Sequence, residues 1–350
     1  MIALTKSYLA RKVYRAGIVG CGRIASLFDR DPKRSYVATH AGAYTRSRNV
    51  ELVAACDIDR EKLENFGRRW RIKKLYHSFD EMLSNEKLDL ISLCTWPESH
   101  FDLARKAVDV GVKAIFCEKP ITTLLSEADE LIELCRKKGV ILAVNHSRRW
   151  DEGHQKIKRF LAAGKLGKIH HVNCYYTAGI SNTGTHLFDL LRLFLGEAKW
   201  VYASSLPTFG DKDPTLSGQI FFENETLVSV AGLDVKDYLI FEIDFYGTKG
   251  RLRIIHSGFK AEYWKVGTSP YFSGYKELRP TKINFNLNKK TMMLSAISDL
   301  TDCLQKHRDP LCSGEDGRKV LEIVCAFKKS FRTGLKVSIP LEDRNLGIDS

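Results

Sequence analysis

The spacing of apolar positions changes partway along this 350-residue chain. Up to residue 144, short apolar or β-branched runs alternate with longer stretches in which apolar residues recur every three or four positions. The short runs at 13–19, 50–56, 88–94, 114–117 and 140–144 predict strands. The segments at 39–46, 60–70, 78–83, 101–110 and 125–138 predict helices, the last two closed by Gly111 and Gly139. Such alternation predicts an α/β domain with a doubly wound parallel sheet. After a helix at 155–163 and a turn at 164–167, the period shortens. Runs at 169–177, 200–205, 217–222, 227–233, 239–246, 250–255 and 261–266 predict strands. Tight joins at 223–225 and 247–250 make them hairpins. Helices at 185–195, 293–305 and 317–333 complete an α+β domain with a large, mostly antiparallel open sheet. The expected division is 1–146 and 147–350.

The first strand runs straight into Gly20-Cys21-Gly22-Arg23-Ile24-Ala25. Strand, glycine turn and helix start is an order that suits a pyrophosphate: Gly20 permits the turn, Gly22 lets the anion reach the backbone, and Ala25 lets the helix pack closely. An ordinary glycine-containing turn has the same letters. Asp57 ends the second strand, where an acid accepts hydrogen bonds from an adenosine ribose and repels a 2′-phosphate, favouring NAD over NADP. Its 37-residue separation from Gly20 requires an insertion, expected around 29–34. Capping of the next helix is the other reading of Asp57. Ligands of such a sheet sit beyond the carboxyl ends of the strands, which here carry Gly20–Arg23, Asp57, Thr95–His100, Glu118–Pro120 and Asn145–Trp150.

Charge and cysteine content narrow the partners. A net charge of +13 suggests an anionic ligand, but the basic residues are scattered among acids, and the cluster at 68–74 reads as the solvated end of a helix. No nucleic-acid-binding signature accompanies them, and a nucleotide or another anionic small molecule accounts for the charge. The nine cysteines form no C-x-x-C pair and no metal-ligand spacing, so they read as buried, reduced thiols of a cytoplasmic protein with no metal. No window is apolar enough to span a membrane, and the first dozen residues read as an N-terminal extension rather than a signal peptide.

In order, Gly20–Ala25, Asp57, Thr95-Trp96-Pro97-Glu98-Ser99-His100, Glu118-Lys119-Pro120, Asn145-His146-Ser147-Arg148-Arg149-Trp150, Gly164–Gly167 and Gly184-Thr185-His186-Leu187-Phe188-Asp189 resemble the Gfo/Idh/MocA family of nicotinamide-dependent oxidoreductases, from about Val13 to Leu341. The resemblance implies a Rossmann-type first domain, a second domain for substrate binding and oligomerisation, and a homodimer or homotetramer. It implies hydride transfer between NAD (NADP being the less favoured) and a secondary alcohol or ketone of a sugar, cyclitol or nucleotide-linked sugar. By the same resemblance, Gly20, Gly22, Arg23 and Ile24 surround the pyrophosphate and Asp57 holds the ribose. Thr95, Pro97 and His100 line the nicotinamide half, with Glu118 near its ribose. Lys119 is similar to the family's active-site lysine, which sits at the nicotinamide of the cofactor and at the substrate hydroxyl, and His186 to its catalytic histidine, while Asn145 and Arg149 fall at substrate positions. Taken alone, His186 also reads as a buried structural histidine, and Lys119 as a surface lysine before proline.

One position departs from the family pattern. Many members carry an acid four residues before the histidine, where this chain has Asn182. An amide hydrogen-bonds substrate but takes no proton. Altered substrate contact, a different reaction and weakened catalysis all fit that change. The alternative to an enzyme is a catalytically weak or inactive dinucleotide-binding regulator of the same fold. Asp189 is expected to be structural.

Overall fold

The computed structural model describes residues 12–204 and 213–348. The N-terminal extension and the end of the run at 200–205 lie outside the described residues. Six parallel strands form the first sheet: β1 (Tyr14–Val19), β2 (Val50–Cys56), β3 (Lys74–Tyr76), β4 (Leu90–Leu93), β5 (Ala114–Cys117) and β6 (Ile141–Val144). Their order, β3-β2-β1-β4-β5-β6, reverses direction at β1/β4 and so creates the crevice where ligands of such sheets bind. β4 and β5 are buried on both faces, as their unbroken apolar runs require.

Five helices cover this sheet: α1 (His40–Arg46), α2 (Arg60–Trp70), α3 (Phe79–Asn85), α4 (His100–Asp109) and α5 (Leu125–Lys138). The helix expected directly after the glycine turn is not a regular one. Residues 23–26 form turns and Leu27–Arg30 a short 3-10 helix, and the first α-helix waits until Thr39 caps α1. Pro32 and the polar residues around it form the expected insertion; Asp29 accepts hydrogen bonds from Ala38 and Thr39, closing the loop onto the helix start. Lys74, assigned from sequence to a solvated helix end, instead begins β3, an edge strand paired with β2.

The second sheet has the order β14-β13-β12-β11-β7-β10-β9-β8-β15. Its strands are β7 (Ile169–Tyr176), β8 (Ala198–Ala203), β9 (Gly218–Phe222), β10 (Leu227–Gly232), β11 (Phe241–Gly247), β12 (Gly250–Ile255), β13 (Lys260–Thr268), β14 (Lys276–Pro280) and β15 (Val337–Ser338). All its pairings are antiparallel except β7 with β10, and both expected hairpins are present. One face packs on α6 (Glu152–Ala162) and α7 (Thr185–Leu195), with Phe194 5.8 Å from Phe245. Each large side chain fully buried there contributes roughly 1.5–3 kcal/mol. The other face leaves Tyr175 and Tyr202 exposed. α8 (Met292–Lys306) and α9 (Gly314–Thr333) return to the first sheet: Gly317 sits so close to Val144 that a Cβ would lie 2.7 Å from that side chain.

Candidate active site

The glycine turn has one closed and one open position. Gly20 takes φ +86°, and a Cβ there would meet the Cys94 carbonyl at 2.7 Å, so no other residue fits. A Cβ on Gly22 would meet nothing within 4 Å. Its outer side is therefore open to a ligand, the fit a pyrophosphate needs. Arg23 is exposed over the Phe28 ring, and Ile24 packs partly into the core. Asp57 accepts hydrogen bonds from the backbone N–H groups of Cys21 (2.6 Å) and Asp59 (2.9 Å), which fixes its carboxylate on the glycine turn. Asp59, not Asp57, caps α2. A cavity of about 280 Å³ opens beside them, lined by Cys21, Ser26, Arg30, Asp59 and Lys62 among others.

Thr95 and Pro97 stand half-buried after β4, with Thr95 accepting a hydrogen bond from Ser99. His100 does not face this opening. It is fully buried, with Nδ1 2.9 Å from the Pro120 carbonyl and Nε2 3.2 Å from that of Thr95. Burial lowers its pKa, and the single N–H of the neutral ring donates to one of these two carbonyls, so the ring is anchored between two loops rather than aimed at a ligand.

Glu118 ends a buried chain that motif reading missed. Its Oε1 accepts from His40 (2.9 Å) and Asn145 (2.6 Å); the other ring nitrogen of His40 lies 2.8 Å from Ser92, which also meets Tyr44. Burial alone would raise the Glu118 pKa, but hydrogen bonds from His40 and Asn145 and the charge of Lys119 hold it below the usual carboxylate range. The side-chain oxygen of Asn145 is buried without a partner among the described residues.

Lys119 leaves the first domain and meets the second. Its Nζ donates to the Asn182 side-chain oxygen at 2.7 Å and to the Asn182 carbonyl at 3.1 Å. Asn182 lies in one turn of π-helix, Gly179–Gly184, which runs into α7. Asp213 holds that turn, accepting the N–H groups of Ser181 and Asn182 at 2.9 Å each. Burial lowers the Lys119 pKa, against the charges of Glu118 and Asp213. An acid is thus felt at Lys119 although residue 182 is an amide. Nothing local in the sequence points to Asp213.

His186 is the second residue of α7 and stands edge-on to His146, ring centroids 5.7 Å apart. Its Nδ1 is buried without a partner. Burial, followed by the charges of Arg148, Lys119 and His146, holds its pKa well below the ordinary histidine value, so it is neutral at neutral pH. Arg149, expected at the substrate, points elsewhere. It donates to Asp189 at 2.8 Å and pairs with Asp316 at 3.0 Å in a buried cluster that includes Arg192. Asp189 is accordingly structural, and Arg148 is the arginine beside His186.

A Rossmann-type sheet with an open glycine turn at its ligand edge, joined to an antiparallel sheet that brings a histidine to the same edge, defines a class: the two-domain, dinucleotide-binding oxidoreductase fold. Within that class, the chain belongs to the Gfo/Idh/MocA oxidoreductase family. Residues 14–146 match its NAD-binding Rossmann fold and 177–339 its C-terminal alpha/beta domain. D-apiose dehydrogenase of Paraburkholderia graminis is 25% identical, the match covering 94% of this chain and 90% of that one. Myo-inositol 2-dehydrogenase of Thermotoga maritima is 24% identical, over 94% and 99% respectively. The WlbA dehydrogenase of Bordetella pertussis, solved with NADH and UDP-GlcNAcA, shares the fold with a TM-score of 0.76 at 21% identity, over 95% of this chain and 100% of that one. Among the described residues, no helix is long and apolar enough to cross a membrane.

Proposed function

We propose that this protein is a dehydrogenase or reductase that transfers hydride between NAD and a secondary alcohol or ketone of a sugar, cyclitol or nucleotide-linked sugar. The observation that carries this reading is the meeting of Lys119 with the turn before His186, at the sheet edge where Gly22 is open. Gly20, Gly22, Arg23 and Ile24 would hold the pyrophosphate, Asp57 the adenosine ribose, Glu118 the second ribose, and Thr95 and Pro97 the nicotinamide. His100 holds the loops that carry them. When bound, NAD supplies the hydride acceptor. The chain's own task is the proton. Neutral His186 takes it from the substrate hydroxyl, and the Lys119 ammonium stabilises the oxygen as negative charge develops. Asn145, with a side-chain oxygen to spare, and Asn182 orient the substrate.

The test is NADH fluorescence followed by turnover of a polyol and sugar panel. Lys119→Ala should lower kcat about a hundredfold and leave NADH affinity within twofold. If NADH binds but no substrate reacts faster than with that variant, the second reading stands: a dinucleotide-binding regulator, which the amide at Asn182 favours. We further assign the chain to a reducing, cytoplasmic setting, supported by nine cysteines that are all free and buried. A homodimer or homotetramer through the open face of the second sheet is supported by exposed Tyr175 and Tyr202. Division into 1–146 and 147–350 is supported by β6 ending at Val144.

A further inference from the structure

Two arginines follow one another just after the first domain, and only one is paired with acids. Among the described residues, Arg149 has two carboxylates, whereas the Arg148 side chain donates no hydrogen bond and forms no ion pair, and its Nε is buried without a partner. The Arg148 guanidinium is nonetheless held in place. It lies 4.4 Å from the centroid of the Phe241 ring and 5.7 Å from that of Phe259. Gly258, at φ +81°, brings the loop after β12 close enough that a Cβ there would sit 3.3 Å from Arg148 Nε.

The surroundings are cationic. Burial pushes the Arg148 pKa down to about 10, against the charge of Asp189, and Arg148 in turn disfavours a charge on His186. Lys289 lies over the same Phe259 ring at 5.2 Å. Asp189 acts on Arg148 only through its charge, and a half-buried guanidinium whose Nε has no hydrogen-bond partner among the described residues has donors to offer a ligand. A planar fork clamped between rings matches a carboxylate, which it can bind with two parallel hydrogen bonds. One fixed guanidinium balances one negative charge, which favours a carboxylate over a phosphate dianion. The cofactor's own phosphates belong at Gly22, at the end of β1, whereas Arg148 acts on His186, where the substrate hydroxyl reacts.

We propose that Arg148 recognises a carboxylate on the substrate, so that the substrate class is acidic sugars, uronates or aldonates, rather than neutral sugars. This rests on the dehydrogenase reading for its turnover test but not for its binding test. NAD reduction is followed with hexuronates and aldonates, each matched to its neutral sugar or polyol, with glucose 6-phosphate as the phosphate arm. The wild type should favour the best acid over its neutral match by at least about tenfold in kcat/KM, the range for a hydrogen bond to a charged group. Arg148→Gln should bring that ratio to about one, mainly through KM, and Arg148→Lys should retain part of it. Calorimetric titration of the same sugars onto the NADH complex reads binding alone, and melting temperatures of both variants report folding. Equal use of neutral and acidic sugars, a stronger preference for glucose 6-phosphate, or a ratio unmoved in Arg148→Gln overturns the proposal. If nothing is turned over, the dehydrogenase reading fails and calorimetry decides: acid binding lost in Arg148→Gln supports the proposal, and absent or unchanged acid binding overturns it.

Discussion

Arg149 and Arg148 leave the same short 3-10 helix, Ser147–Trp150, and enter two regions of opposite design. On one side, Arg149, Asp189, Arg192, Asp316 and Glu197 alternate in sign and pair at 2.8–3.2 Å, with one oxygen, Asp189 Oδ2, left without a partner among the described residues. On the other, Arg148, Lys119, His146 and His186 crowd positive or protonatable groups together. There Arg148 Nε, His146 Nδ1, His186 Nδ1 and Asn145 Oδ1 have no partner among the described residues. Both regions take charge out of water. The difference is in pairing: a closed cluster fixes the fold, and an open one is completed by a ligand.

The sharpest way to break this comparison is Arg149→Met. It strands Asp189 and should lower stability by about 3–5 kcal/mol in urea unfolding, while Arg148→Gln should change it by less than about 1 kcal/mol. Equal losses would mean that both arginines are structural. Next comes Asp213→Asn, which weakens the two backbone contacts that hold the Asn182 turn. It should lower kcat about tenfold with NADH affinity unchanged, and Asn182→Asp in the same chain should restore part of the rate. A parallel fall in NADH affinity would assign Asp213 to the fold alone.

The smallest effect is a pH slope. Burial, followed by the charges of Arg149 and Lys119, lowers the His146 pKa to about 3. The unfolded chain, titrating near about 6.5, therefore binds the proton first. The stability contributed by neutral His146 is complete above that value and is lost as the pH falls toward 3, by about 1.4 kcal/mol per pH unit. His146→Gln should flatten the slope of unfolding free energy between pH 6.5 and 5 by about that amount; an unchanged slope would show that His146 is charged or solvated in the folded protein.

Much of this was legible in the sequence, for physical reasons that also mark the limits. β5 is a continuous apolar run, β1 and β2 are apolar runs broken only by Arg15 and Glu51, and α5 ends at a glycine in the left-handed conformation, so pattern alone finds them. β3 is three residues at a sheet edge that open with an exposed lysine, and β14 is mostly exposed, so neither carries a burial pattern. Lys119 and His186 came from local motifs. Asp213 lies 31 residues from Asn182 in sequence, and Arg149 meets Asp189 across 40, so their pairing is a product of folding. Two adjacent arginines look alike until one finds its acids.

The two hydrogen bonds from Lys119 to Asn182 give the resting site a surrogate ligand. The ammonium arrives at each encounter already aimed, its conformational freedom spent on an amide that mimics an alcohol oxygen. A substrate must outcompete that built-in rival, so residue 182 sets a threshold for admission. An acid at this position would raise the threshold with a full charge. The amide lowers it and leaves the lysine easier to capture.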